Sequence, residues 1–244
     1  MKNGWVIITG ANGGIGQEVL KIFAKNKNNI LAITRSKDES FQDKINSLKL
    51  KEKISVEVLS CDFLNKDQVK NTSIEIIKNY EISSLINNAG RNFISLYQMT
   101  NEKNMKEIFE INFFSHYFFT QNIIKNMIKN KRGSIVNISS SAATDCPIGS
   151  SAYSASKSAM ISWTKVLSKE LSRFNIRVNA ISPGLTNTKM MNDYMTDLQI
   201  KNYINNLSIK RPAEPEEIAE TIFFLCTDKS KYINGQVIRV DGGI

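Results

Sequence analysis

Short, continuously apolar runs alternate with longer amphipathic stretches along this chain, and that alternation constrains its fold more than any other feature. Runs such as Ile7-Ile8 and Ile135-Val136 show no polar residue at every second position. A strand with one solvated face would show that alternation, whereas a strand buried on both faces reads as unbroken apolar sequence. The pattern predicts strands at 5–9, 29–34, 54–60, 83–87, 134–139, 176–181 and 236–240. Helices are predicted at 14–25, 39–50, 67–78, 102–130, 151–173, 190–206 and 214–227. Strand–helix repetition with two-face-buried strands specifies an α/β fold. Right-handed crossovers then give a single-domain, Rossmann-like, doubly wound parallel sheet of about seven strands with helices on both faces. No linker or internal repeat divides residues 1–244. The stretch 187–207 lacks sheet-forming residues but carries Met190, Met191, Tyr194, Met195 and Tyr203, so it is expected to cap a cleft.

Composition removes several function classes. At 244 residues, 41% hydrophobic and 23% charged, the chain can bury a core without disulfides or metals. Its 32 Lys+Arg against 23 Asp+Glu give +9. The lysines are scattered, so a nucleic-acid partner is not expected, while attraction to anionic small molecules is. Cys61, Cys146 and Cys226 are odd in number, far apart and without metal-ligand spacing. They read as reduced thiols in a cytoplasmic protein, with no metal expected. No apolar run approaches a membrane span, and Met1-Lys2-Asn3-Gly4 leads into the first strand with no cleavage-site pattern.

The first strand runs directly into Thr9-Gly10-Ala11-Asn12-Gly13-Gly14-Ile15-Gly16, which opens a helix. Gly10 permits a tight turn. Gly14 and Gly16 let backbone approach a pyrophosphate, and the helix N-terminus offers it free N–H groups and a positive dipole end. The second strand ends at Thr34-Arg35-Ser36-Lys37. An acid at that place would grip an adenosine ribose hydroxyl. Thr34 with the cations Arg35 and Lys37 instead suits a 2′-phosphate, which favours NADP(H) over NAD(H).

Further on, Tyr153-Ser154-Ala155-Ser156-Lys157 starts a predicted helix. Residues four apart share a helix face, so Tyr153 and Lys157 project into one site. An ammonium beside a phenol lowers its pKa and fits it for proton exchange with a carbonyl or alcohol oxygen.

These features together resemble the short-chain dehydrogenase/reductase family across essentially the whole chain. The matching residues are T-G-A-N-G-G-I-G at 9–16, Asp62, N-N-A-G at 87–90, Asn112, the serines 139–141, Y-S-A-S-K at 153–157, and Pro183-Gly184 with Thr188. The resemblance implies hydride transfer between a nicotinamide and a carbonyl carbon, with Tyr153 as acid/base and Lys157 beside it on the nicotinamide ribose. It implies that Ser140, the middle serine and thirteen residues before Tyr153, orients the substrate carbonyl. Asn112 would hold a water in a proton relay. For the cofactor it implies Gly10, Asn12, Gly14, Ile15 and Gly16 at the phosphates, and Asp62 with Phe63 at the adenine. Asn88, Ala89 and Gly90 would lie beside the adenosine ribose, and Pro183, Gly184, Thr186 and Thr188 at the carboxamide.

The general pattern is nearest to 3-oxoacyl-carrier-protein reductases, which implies a carrier-linked 3-oxoacyl thioester as substrate. The chain departs from them after N-N-A-G, continuing Arg91-Asn92-Phe93-Ile94-Ser95, and it has Gly13 where NADP-preferring relatives often have a base. A keto sugar or sugar nucleotide is the alternative substrate. A non-catalytic dinucleotide-binding regulator is a third reading, disfavoured by the intact set Asn112, Ser140, Tyr153 and Lys157. His116, the one histidine, sits in the aromatic run 113–119 and reads as packed, with no part in the mechanism. In the family the equivalent helix and the Tyr153 helix pair between subunits, so the resemblance implies a homodimer or homotetramer.

Overall fold

The computed structural model describes residues 4–36 and 38–244. Seven strands form one sheet: β1 (Trp5–Thr9), β2 (Asn29–Thr34), β3 (Val56–Ser60), β4 (Ile82–Asn87), β5 (Gly133–Ile138), β6 (Ile176–Pro183) and β7 (Val237–Val240). Their order is β3-β2-β1-β4-β5-β6-β7, and every pairing is parallel. The unbroken apolar runs face both ways. Val6 and Ile8 enter one core and Ile7 the other, as do Ile30 and Ala32 against Leu31 and Ile33.

Helices fill both faces. The first core is covered by α1 (Gly14–Lys25) and α2 (Glu39–Glu52), and later in the chain by α10 (Pro215–Cys226). The opposite core is covered by α3 (Lys66–Asn79), α5 (Ser115–Asn130) and α7 (Ser151–Leu171). Buried side chains at 19, 20, 23 and 24 on α1, and at 119, 123 and 127 on α5, follow the helical repeat. Four shorter helices complete the order: α4 (Glu102–Phe109), α6 (Ala142–Asp145), α8 (Lys189–Tyr194) and α9 (Asp197–Asn206).

The strand order reverses between β1 and β4. It is outside the carboxyl ends of the strands at such a reversal that open α/β sheets bind ligands.

Two predicted helices are not single. The stretch 102–130 is interrupted by a π turn at Glu110–Phe114. Asn112 lies within it, and the inserted residue turns its carboxamide toward Arg91 and Ser156. The stretch 190–206 divides into α8 and α9, because Thr196 forms a capping box with Gln199 and starts a second helix. The three cysteines are unpaired, Cys61 and Cys226 buried and Cys146 exposed. No helix among the described residues is long and apolar enough to cross a membrane.

Candidate active site

The glycine loop is shaped by close approaches. Gly10 turns at φ +63°, and a Cβ there would sit 2.9 Å from Cα of Ala89. A Cβ on Gly16 would fall 2.3 Å from the Gly10 carbonyl oxygen, and one on Gly14 2.6 Å from Cγ2 of Thr188. The last contact brings the loop to the segment after β6. Asn12 and Gly14 are exposed, and Ile15 packs on the first core. Asp38, Asn65, Asn101 and Thr196 cap α2, α3, α4 and α9 with their side chains. Gly13, the N-cap of α1, offers no side chain, and the first turn of α1 has no acid. Its N–H groups and dipole are left for an anion. This cradle, which β-carbons would fill, fits the pyrophosphate of a dinucleotide.

The other expected cofactor residues lie around it. Thr34 is buried, and its hydroxyl donates to the Ser36 carbonyl at 2.9 Å. Arg35 is exposed, with no ion pair among the described residues; Lys37 lies outside them. Asp62 is half-buried, and its Oδ1 accepts the Leu64 N–H at 2.9 Å. Phe63 differs from its pair: its ring is buried against His116 and Phe119, so it packs the core. The Asn88 carboxamide is a strut, donating to the Thr9 and Gly10 carbonyls at 2.9 and 3.1 Å. Asn88 and Ala89 both donate backbone N–H to Oγ1 of Thr9 at 2.9 Å. Gly90 touches Asn112 and Lys157, whose Oδ1 and Nζ would lie 3.1 and 3.3 Å from an added Cβ. Pro183 closes β6, Thr186 donates to the Gly184 carbonyl at 3.1 Å, and Thr188 to that of Thr186 at 3.4 Å.

Ser140, Tyr153, Lys157 and Asn112 converge beside this cradle. Of the three serines, Ser139 is buried and donates to the Lys157 carbonyl at 2.9 Å. Ser141 is buried, with Oγ 3.4 Å from the Tyr203 hydroxyl. Ser140 is half-buried; its Oγ accepts the Ala142 N–H at 3.2 Å and lies near enough to Tyr153 to favour the ionised phenol. Lys157, one turn after Tyr153, donates from Nζ to the Ile138 carbonyl at 2.8 Å and lies 6.0 Å from the Tyr153 ring centroid. Asn112 is fully buried. Its Oδ1 accepts the Arg91 N–H at 2.9 Å, while Nδ2 donates to the Arg91 carbonyl at 3.0 Å and to Ser156 Oγ at 3.1 Å.

The electrostatics depart from the expectation for Tyr153. Burial raises its pKa, and the neighbouring Ser140 hydroxyl opposes that shift. Burial pushes Lys157 itself down to about 8. Tyr153 is therefore held as a protonated phenol beside Lys157.

Several residues near the site carried no signal in the sequence. Arg239 on β7 grips Asp145 through two nitrogens, at 2.8 and 3.0 Å, and Asp241 through Nε at 2.5 Å. It thereby ties α6, just after the serines, to the chain end beside Gly184. Ser156 was missed as the partner of Asn112. Tyr203, expected only as part of the 187–207 cap, brings α9 to Ser141. The Arg91 side chain turns to Glu107 on α4, 3.7 Å away and half-exposed. Among the described residues no cluster of His, Cys, Asp and Glu could hold a metal.

A family model described as enoyl-(acyl carrier protein) reductase matches residues 10–244. The chain is similar to the uncharacterized oxidoreductase YmfI of Bacillus subtilis, 32% identical over 244 residues, covering 99% of this chain and 98% of that one. It is also similar to the 3-oxoacyl-[acyl-carrier-protein] reductase FabG of Thermotoga maritima, 34% identical over 239 residues, covering 98% and 96%. A solved structure described as a short chain dehydrogenase/reductase family protein superposes with TM-score 0.87 at 26% identity, covering 98% and 96%. YwfH, described as an NADPH-dependent reductase of bacilysin biosynthesis, superposes at 0.93, covering 99% and 98%; its 22% identity speaks for the fold alone. Glycine cradle, Ser140–Tyr153–Lys157 cluster and whole-length similarity agree: the chain belongs to the short-chain dehydrogenase/reductase family of NAD(P)-binding oxidoreductases.

Proposed function

We propose that this chain is an NADP(H)-dependent ketoreductase that interconverts a ketone and a secondary alcohol, with a 3-oxoacyl thioester as the leading substrate. The observation that carries this reading is the convergence of Ser140, Tyr153 and Lys157 beside the glycine cradle, with Lys157 Nζ 6.0 Å from the Tyr153 ring centroid. A nicotinamide dinucleotide held by this cradle would supply or accept the hydride. Ser140 donates to the substrate carbonyl oxygen and holds it against the Tyr153 hydroxyl. Tyr153 passes its proton to that oxygen during reduction and takes one back during oxidation. Lys157 supplies positive charge on the same side, and Asn112 fixes the Arg91 backbone behind it. Asn12, Ile15, Gly14 and Gly16 line the phosphates. Asp62 borders the adenine, and Asn88, Ala89 and Gly90 form the ribose wall. Pro183, Gly184, Thr186 and Thr188 hold the carboxamide end. Arg35, exposed and unpaired by any carboxylate among the described residues, supports a 2′-phosphate at the second strand end. The names of the similar FabG proteins support a carrier-linked 3-oxoacyl substrate, and α8 and α9 would cap it.

The test is loss of NADPH absorbance with an acetoacetyl thioester, with an enoyl thioester and a keto sugar run in parallel. Tyr153→Phe should lower turnover by at least about a hundredfold while leaving NADPH binding within about twofold. Turnover of the enoyl thioester or keto sugar alone would replace the substrate assignment. Full activity in the phenylalanine variant would remove the mechanism.

A further inference from the structure

His116 is fully buried on α5, one turn beyond Asn112. A packed ring needs no polar neighbour, yet both ring nitrogens of this one face oxygens of the segment 87–90. Nε2 lies 2.7 Å from the Ala89 carbonyl oxygen, and Nδ1 3.2 Å from Oδ1 of Asn87. The ring also lies against Phe63, with centroids 4.9 Å apart. A carbonyl oxygen only accepts, so Nε2 carries a proton. Burial holds the ring neutral, its pKa pushed down to about 3; the Ala89 bond opposes that shift and the Lys157 charge adds to it. A neutral ring donates once, so Nδ1 is an acceptor. The Asn87 carboxamide nitrogen is committed to Oγ1 of Thr120 at 3.0 Å and Oδ1 of Asn137 at 2.8 Å, so the proton on Nε2 makes the Ala89 carbonyl the partner that His116 bonds.

Ala89 is thereby held from both sides. Its N–H is fixed to Thr9 on β1 and its C=O to His116 on α5. Gly10 presses on its Cα from the phosphate loop, and the next residue, Gly90, adjoins Nζ of Lys157. The Ala89–Gly90 peptide therefore stands between the glycine loop and the catalytic cluster, and His116 sets its orientation. An apolar ring in the same space would leave the half-buried Ala89 carbonyl without this donor and free to swing.

We propose that His116 is a positioning residue for the cofactor: its Nε2–H bond to Ala89 fixes the wall that a nicotinamide dinucleotide must lie against. This rests on the cofactor reading above.

The test compares full-length wild type with His116→Phe, which fills the space without a donor, and His116→Gln, which retains one. The phenylalanine variant should weaken NADPH binding about tenfold and raise the KM for NADPH, with kcat within about threefold of wild type. The glutamine variant should recover most of that loss. As the chain has one histidine, its ring 15N signals are unambiguous. They should show a proton on Nε2, no titration from about pH 5 to 9, and a shift on NADPH addition. A ring protonated only on Nδ1 would overturn the proposal. So would NADPH affinity unchanged in both variants while their melting temperatures fall, the result of packing alone. If the phenylalanine variant does not fold, the tautomer and the glutamine variant decide. Wild type that binds neither NADPH nor NADH would overturn the cofactor reading itself, which is separable from normal wild-type binding that His116→Phe leaves intact.

Discussion

At Lys157 an ammonium is held inside the protein with the Ile138 carbonyl as its hydrogen-bond partner. Its pKa, lowered by burial to about 8 from 10.5, makes stability depend on pH. Between those two values the unfolded chain binds the proton that the folded chain has released, so folding gains as pH rises. Below pH 8 both states are protonated and the folded state bears the full cost of the buried charge. Comparing wild type with Lys157→Met isolates this group. The stability difference should move in favour of wild type from about pH 8 to 10.5, by on the order of 3 kcal/mol in all. Denaturant melts at intervals of pH would show it, and a flat difference would mean that the lysine keeps its ordinary pKa. Gly16 gives a second expectation. Its absent Cβ would lie 2.3 Å from the Gly10 carbonyl, so Gly16→Ala should cost about 1–3 kcal/mol and lower dinucleotide affinity with it. Calorimetric melting and binding titration would check both effects. At this scale the sequence was legible where chemistry is local. The i,i+4 pair Tyr153–Lys157 and the glycine loop are spacings along one chain segment. The Arg239–Asp145 and His116–Ala89 contacts join residues 94 and 27 apart, and no local pattern encodes them.

Elements were read well where a period carries the information and poorly where a single residue breaks it. The strands appear as apolar runs because both their faces are buried. The π turn at Glu110–Phe114 was invisible, since its cause is the distant Arg91 backbone that Asn112 reaches. The division between α8 and α9 was legible in principle, because Thr196-Asp197-Leu198-Gln199 has the spacing of a capping box. Neither α8 nor α9 buries a side chain fully, in contrast to α5 and α7. Few buried contacts give a low local opening free energy. Amide exchange across 189–206 should therefore be faster than across α5 and α7, and should slow when NADPH and substrate are both bound. Uniform protection, unchanged by ligands, would show that these helices are a fixed wall and no cap. Within them, Thr196→Ala should cost about 1 kcal/mol of local stability and speed exchange in α9 alone.

The whole molecule is a three-layer arrangement whose core the sequence announced, but whose outer surface it described less well. The aromatic run 113–119 exceeds what one buried stripe requires, and the structure shows where the excess goes. Phe119 is fully buried, while Phe114, Tyr117 and Phe118 remain 41%, 38% and 50% exposed. On the neighbouring α7, Val166 is 54% exposed, and Trp163 meets Phe113 and Tyr117 in a continuous group of rings. An apolar face of this kind on two adjacent helices is what a self-association surface would require. A second copy of the chain related by a two-fold axis would set each α5–α7 face against its own equivalent and cover all four side chains. Such pairing would also clamp α7, which carries Tyr153 and Lys157, from outside. Wild type should therefore sediment as a dimer or a larger even assembly. Phe118→Glu combined with Val166→Glu should release monomers and lower turnover through looser α7 packing, while far-ultraviolet circular dichroism stays unchanged. Monomeric wild type, or a double variant that still assembles, would assign this face no role in self-association.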